Sequence, residues 1–190
     1  TSNMTFPDVA ANAWFAGVVD EAYARGLMGA ENTAKNLFSP DKNISRGMVA
    51  TVLYRMAGTP KVTYTAKFPD VKENVWYTNA IMWASEAGVV SGFGDKTFGP
   101  DKDITRQDLA IMLRNYAQIV GKIDTSATAD LDNFADKDKV DAYAESAVKW
   151  AVANGIMTGK ENGKYIAARD NATRAECAKM FTMLQELVAK

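Results

Sequence analysis

The chain has 190 residues, a formal net charge of −1, no histidine and a single cysteine. This composition excludes histidine-based zinc sites, Ser-His-Asp and Cys-His catalysis and an internal disulfide, and it lacks the basic surplus of a nucleic-acid binder. Hydrophobic residues make up 47%, enough for a buried core, but no run of 18 apolar residues exists that would cross a membrane.

The chain begins at Thr1 with no visible signal peptide, which reads as a trimmed or mature form. The first motif is Phe6-Pro7-Asp8-Val9, followed by Trp14-Phe15. Trp14, Val18 and Ala22 then share one helical face, and Phe15, Val19 and Tyr23 another. Gly26 fits the position just past that helix, where φ turns positive. A loop leads to Phe38-Ser39-Pro40-Asp41, where Pro40 breaks the chain. Ser45 is placed to cap a second helix, with Met48, Val49, Val52, Leu53 and Met56 as its apolar stripe.

After a linker at 58–67 the same order returns. Phe68-Pro69-Asp70-Val71 leads to Trp76-Tyr77, then Gly88, then the loop Ser91-Gly92-Phe93-Gly94-Asp95-Lys96, then Phe98-Gly99-Pro100-Asp101. Thr105-Arg106-Gln107-Asp108 reads as a capping box, opening a helix striped by Leu109, Met112, Leu113, Tyr116 and Val120. The second linker, 121–133, is rich in Asp, Thr and Ala and is expected on the surface.

The third copy is weaker. Phe134-Ala135-Asp136 stands for the opening motif, only Tyr143 survives of the aromatic pair, and Gly155 ends the first helix. The loop at 160–164 is altered, and Ala168 stands where proline is expected. Thr173-Arg174-Ala175-Glu176 is a second capping box, before a stripe of Cys177, Met180, Phe181, Leu184 and Val188. Cys177 reads as a small core residue. The opening motifs are spaced 62 and 66 residues apart. We divide the chain at 1–60, 61–122 and 123–190, as repeats of one compact domain. One helix pair cannot cover its own apolar stripe. Three can, and the expected fold is all-α, with three helix-loop-helix repeats in a pseudo-threefold arrangement around a central bundle of the second helices.

In their order, these motifs resemble the S-layer homology (SLH) repeat, the second copy nearly end to end and the whole set from Phe6 to about Leu187. The resemblance implies a pseudo-trimer that anchors a surface protein in the bacterial cell wall or S-layer. It does so by binding secondary cell-wall polysaccharide in grooves between repeats, the favoured epitope being pyruvylated N-acetylmannosamine. The rest of the parent surface protein is then a covalent neighbour. The resemblance also marks the arginine of the Thr-Arg-Ala-Glu motif as a binding residue, which carries over to Arg46, Arg106 and Arg174.

The residues themselves support an acidic glycan. Each arginine falls in the first turn of a helix, beside amides taken to be unpaired and at the positive dipole end, where a cation asks for an anion to offset it. A pyruvyl carboxylate suits a planar guanidinium. Trp14 and Trp76 can stack on sugar faces or serve as core. Gly29, Ser91, Gly92, Thr158 and Gly159 can bring backbone amides to the ligand. Asp8, Asp70 and Asp136 are either ligand contacts or loop caps, and they are also the obvious internal partners for the arginines. The first copy, with Gly47 and Met48 in its first turn, is expected to start its helix loosely, so the Arg106 groove is expected to be the best formed.

Two other readings stand beside this one. The same scaffold could bind polyamine-bearing peptidoglycan through acidic grooves, or it could be a helical protein–protein adaptor. An enzyme is not expected, since Asp108 and Glu176 have capping roles that explain them. No cofactor or metal is expected either, because Asp136-Lys137-Asp138 lacks the regular spacing of a calcium loop.

Overall fold

The structure, a computed structural model, describes residues 5–189. It contains six α-helices: α1 (Ala16–Ala24), α2 (Arg46–Met56), α3 (Thr78–Ala87), α4 (Arg106–Ile119), α5 (Glu145–Ala153) and α6 (Arg174–Val188). Two short 3-10 turns, Lys137–Lys139 and Ala142–Ala144, precede α5. Among the described residues there are only isolated bridges and no named strand, so the all-α expectation holds.

The helix ends follow their chemistry. Gly26, Gly88 and Gly155 all have positive φ, 72°, 86° and 70°. The next residue in each copy turns its amide back to the helix: Leu27 to Ala22 O, Val89 to Ala84 O and Ile156 to Ala151 O. At the other end, Ser45, Thr105 and Thr173 sit in extended backbone, and their hydroxyls accept the amides of Met48, Asp108 and Glu176. Only Thr173–Glu176 completes the reciprocal box. The expected box at Thr105–Asp108 is not made, because Asp108 is one methylene shorter than glutamate and its carboxylate accepts the Tyr143 hydroxyl instead.

The repeats interlock. The first helix of each repeat packs on the second helix of the repeat before it, α3 on α2 and α5 on α4. The order closes on itself, with α1 on α6. Arg25 fastens that closure through Thr182 O, Gln185 and Glu186. The entries to the second helices converge in a ring of backbone hydrogen bonds: Ile44 donates to Ala172, Ala172 to Ile104 and Ile104 to Ile44, at 2.9–3.1 Å. Among the second helices themselves, α4 and α6 pack along one another. The apolar stripes and the loop aromatics form one core, in which Phe6 meets Phe38 and Phe68 meets Phe98 with ring centroids about 5.4–5.5 Å apart. The second linker is not wholly a surface strap, because Thr125 and Leu131 are buried.

Candidate carbohydrate-binding grooves

Each second helix opens with its arginine, and this residue is the base of a groove. Arg46, Arg106 and Arg174 are only 6%, 4% and 5% exposed. Arg46 donates from Nε to Phe98 O at 2.9 Å and from Nη2 to Ser91 O at 3.2 Å. Arg174 repeats this on Phe38 O and Gly29 O, both at 2.8 Å. Phe98 and Phe38 also lie under the guanidinium planes, 4.8 Å from Cζ, and Phe93 lies 4.5 Å from that of Arg46. The side-on edge of each guanidinium is therefore fixed by carbonyls. The end-on edge carries no hydrogen bond from Nη1 among the described residues. Burial pushes both groups below the usual arginine pKa, and the charges of Asp108 near Arg46 and Glu31 near Arg174 offset this only in part, since among the described residues no carboxylate lies within ion-pair distance of either.

Arg106 differs. Its Nε donates to Ile166 O at 3.2 Å, but its Nη1 pairs with Glu176. In the groove expected to be the best formed, a carboxylate of the chain already holds the guanidinium.

The first-turn amides are not free either. Arg46 and Gly47 donate to Lys102 O and Pro100 O, Arg106 and Gln107 to Asp170 O and Ala168 O, and Arg174 and Ala175 to Lys42 O and Pro40 O, all at 2.8–3.0 Å. These inter-repeat bonds, with the cap hydroxyls, satisfy the helix starts. The helix N-termini therefore offer no unpaired first-turn amides at these positions. Ala168, where proline was expected, supplies the same carbonyl to this bond as Pro40 and Pro100 do in the other copies.

Every groove is built from all three repeats. The Arg174 groove, about 770 Å³, is lined by Gly29 and Ala30 of the first repeat, Trp76 of the second and Arg174 of the third, with Met48 and Lys42 on its walls. The Arg46 groove, about 240 Å³, takes Ser91, Gly92 and Phe93 from the second repeat and Tyr143 from the third. The Arg106 groove, about 370 Å³, takes Thr158 and Gly159 from the third repeat and Trp14 from the first. Trp14 and Trp76 are 64% and 61% exposed, so they are not core residues. Tyr143 takes the same place in the third repeat with its ring exposed, while desolvation local to its hydroxyl and the bond to Asp108 push that group up to about 12.

The aspartates need correcting. Asp8 accepts the amides of Phe38 and Ser39, Asp70 those of Phe98 and Gly99, and Asp136 those of Ile166 and Ala167, all at 2.7–3.0 Å. Both oxygens of each carboxylate are occupied within the chain. They neither pair with the arginines nor line a groove. Instead they fix the loop whose carbonyl orients the arginine. What the linear sequence hid was the cyclic neighbourhood: nothing in the spacing puts Trp76 beside Arg174, or Glu176 beside Arg106.

The S-layer homology domain pattern matches residues 5–47, 67–110 and 133–178, which together span most of the chain. The chain belongs to the S-layer homology domain family. Similar chains include an amylopullulanase of Thermoanaerobacterium thermosulfurigenes, 31% identical over 96% of this chain and 10% of that protein. A surface-layer 125 kDa protein of Lysinibacillus sphaericus is 32% identical over 83% of this chain and 13% of that one. A cellulosome-anchoring protein of Acetivibrio thermocellus is 28% identical over 65% and 28%. The SLH triplet thus spans about a tenth to a quarter of the length of these relatives. Its setting is the cell surface, as for the surface-layer relatives. No helix among the described residues is long and apolar enough to cross a membrane.

Proposed function

We propose that this SLH module anchors a cell-surface protein to the bacterial wall by binding an acidic secondary cell-wall polysaccharide in its inter-repeat grooves. The preferred epitope is pyruvylated N-acetylmannosamine, whose carboxylate meets a groove arginine while a sugar face lies against Trp76 or its counterparts. One observation carries this reading: Arg46 and Arg174 are buried, held by backbone carbonyls, and in no ion pair among the described residues. A buried, unneutralised guanidinium facing a cleft gains from a ligand anion, by about 1.5–3 kcal/mol for a charge-assisted contact. The module binds without cleaving. Asp108 and Glu176, which line the Arg46 and Arg106 grooves, are engaged by Tyr143 and Arg106 and are not poised for glycoside hydrolysis.

Titration of purified wall polymer before and after mild acid removal of pyruvate tests this. Removal is expected to weaken binding at least tenfold, and Arg174→Ala to weaken binding to intact polymer similarly. Equal affinity for the two polymers excludes the carboxylate as the recognised group.

A further inference from the structure

The third residue of each second helix differs among the copies: Met48, Asp108 and Glu176. Cyclic packing sets each of them against the arginine of the preceding repeat. Met48 lines the Arg174 groove, Asp108 the Arg46 groove and Glu176 the Arg106 groove. Glu176 crosses to Arg106, and both side chains are largely buried, at 13% and 5% exposure. Its other oxygen accepts the Thr173 amide at 3.0 Å, so the carboxylate is held from both sides. Asp108 is shorter, stays on its own side and takes the Tyr143 hydroxyl at 2.7 Å. Met48 brings no charge. The other acids of the Arg174 groove are Glu31, Asp101 and Asp103. Glu31 is committed to Lys42 and to Ser39 Oγ, Asp103 accepts from Asn43, and Asp101 is solvent-exposed.

We infer that Glu176 is an internal stand-in for the ligand carboxylate, which leaves the Arg106 groove self-occupied. The Arg174 groove, where methionine takes that place, then accepts the acidic sugar first. This rests on the carbohydrate reading above and orders the Arg174 site ahead of the Arg106 site. An incoming carboxylate at Arg106 must displace one tethered at high effective concentration and then lie beside it, like charge against like. At Arg174 it meets a buried cation with nothing to displace.

The two exposed tryptophans make the grooves separately visible, since Trp14 lines the Arg106 groove and Trp76 the Arg174 groove, while Trp83 and Trp150 are buried. The experiment is a fluorescence titration with a pyruvylated N-acetylmannosamine glycoside. Trp14→Phe leaves Trp76 as the groove tryptophan and isolates the response of the Arg174 groove. Trp76→Phe is expected to lose it, with any remaining response about tenfold or more weaker. Adding Glu176→Gln to Trp76→Phe keeps an oxygen for the Thr173 amide but removes the charge, and it is expected to restore a Trp14 response at lower glycoside. Met48→Glu completes a capping box with Ser45, so α2 is expected to gain stability while the Trp76 response weakens about tenfold or more. Comparable Trp14 and Trp76 responses in the parent protein overturn the inference. So does a Trp14 response unmoved by Glu176→Gln, or a Trp76 response unmoved by Met48→Glu. If no form responds to the glycoside at all, the carbohydrate reading itself falls, a result distinct from a wrong ranking.

Discussion

Asp70 holds the backbone amides of Phe98 and Gly99 at 3.0 and 2.7 Å, and the Phe98 carbonyl so positioned accepts Nε of Arg46 at 2.9 Å. A half-buried carboxylate thereby sets the direction of a buried guanidinium from across the repeat boundary. Bonds to a charged acceptor contribute about 1.5–3 kcal/mol each, and two on one side chain are not fully additive. Asp70→Ala is therefore expected to cost about 2–4 kcal/mol in urea denaturation. A cost below about 0.5 kcal/mol would remove the structural role assigned here to Asp70, and by analogy to Asp8 and Asp136.

The loop residue these aspartates hold lies in the left-handed region in all three copies: Ser39 at φ 59°, Gly99 at 72° and Ala167 at 52°. Only the second copy uses glycine there. A left-handed L-residue costs about 1–2 kcal/mol, and glycine gives back about 0.5–1 kcal/mol of that in unfolded-state entropy. Ala167→Gly is expected to raise stability by about 0.5–1 kcal/mol. Gly99→Ala is expected to lower it by more than that, since a Cβ there would meet Phe93 Cε2 at 2.7 Å. Thermal unfolding of the two variants checks both signs. A destabilised Ala167→Gly would mean that the third loop is not strained at this point.

Local chemistry was legible in the sequence because it needs only near neighbours. Gly26, Gly88 and Gly155 end helices where glycine can take a positive φ, and Ser45, Thr105 and Thr173 begin them with a hydroxyl. The apolar stripes of α2, α4 and α6 are buried through most of their length, with Met48, Met56, Val120 and Val188 only half-buried. The grooves were legible only in part. Arg46, Arg106 and Arg174 were identifiable, but their environments depend on which repeat lies opposite, and periodicity carries no information about cyclic order. Glu176 satisfied a capping pattern completely, which concealed its second bond to Arg106. Which loop amides the aspartates cap was hidden for a related reason: those amides lie about 30 residues away, beyond any local motif.

The interlocking of the repeats predicts that they fold as one unit. α1 has its packing partner in α6, and α4 has its partners in α5 and α6. The hydrogen-bond ring also needs Ala172, and Arg174 and Ala175 donate their amides to Lys42 and Pro40. Removing residues 123–190 therefore strips partners from both remaining repeats at once, and leaves Val19 and Ala22, buried in the intact chain, without α6 over them. A solenoid of independent pairs would keep most of its stability after losing a terminal repeat, because each pair contacts only its neighbours. A closed ring loses two interfaces instead of one. Residues 1–122 alone are accordingly expected to give no cooperative thermal transition and poorly dispersed amide NMR signals, whereas the full chain melts in a single step. A cooperative, well-dispersed fragment would show that the closing contacts of α1 with α6 are dispensable, and would make each repeat pair a separable wall-binding unit.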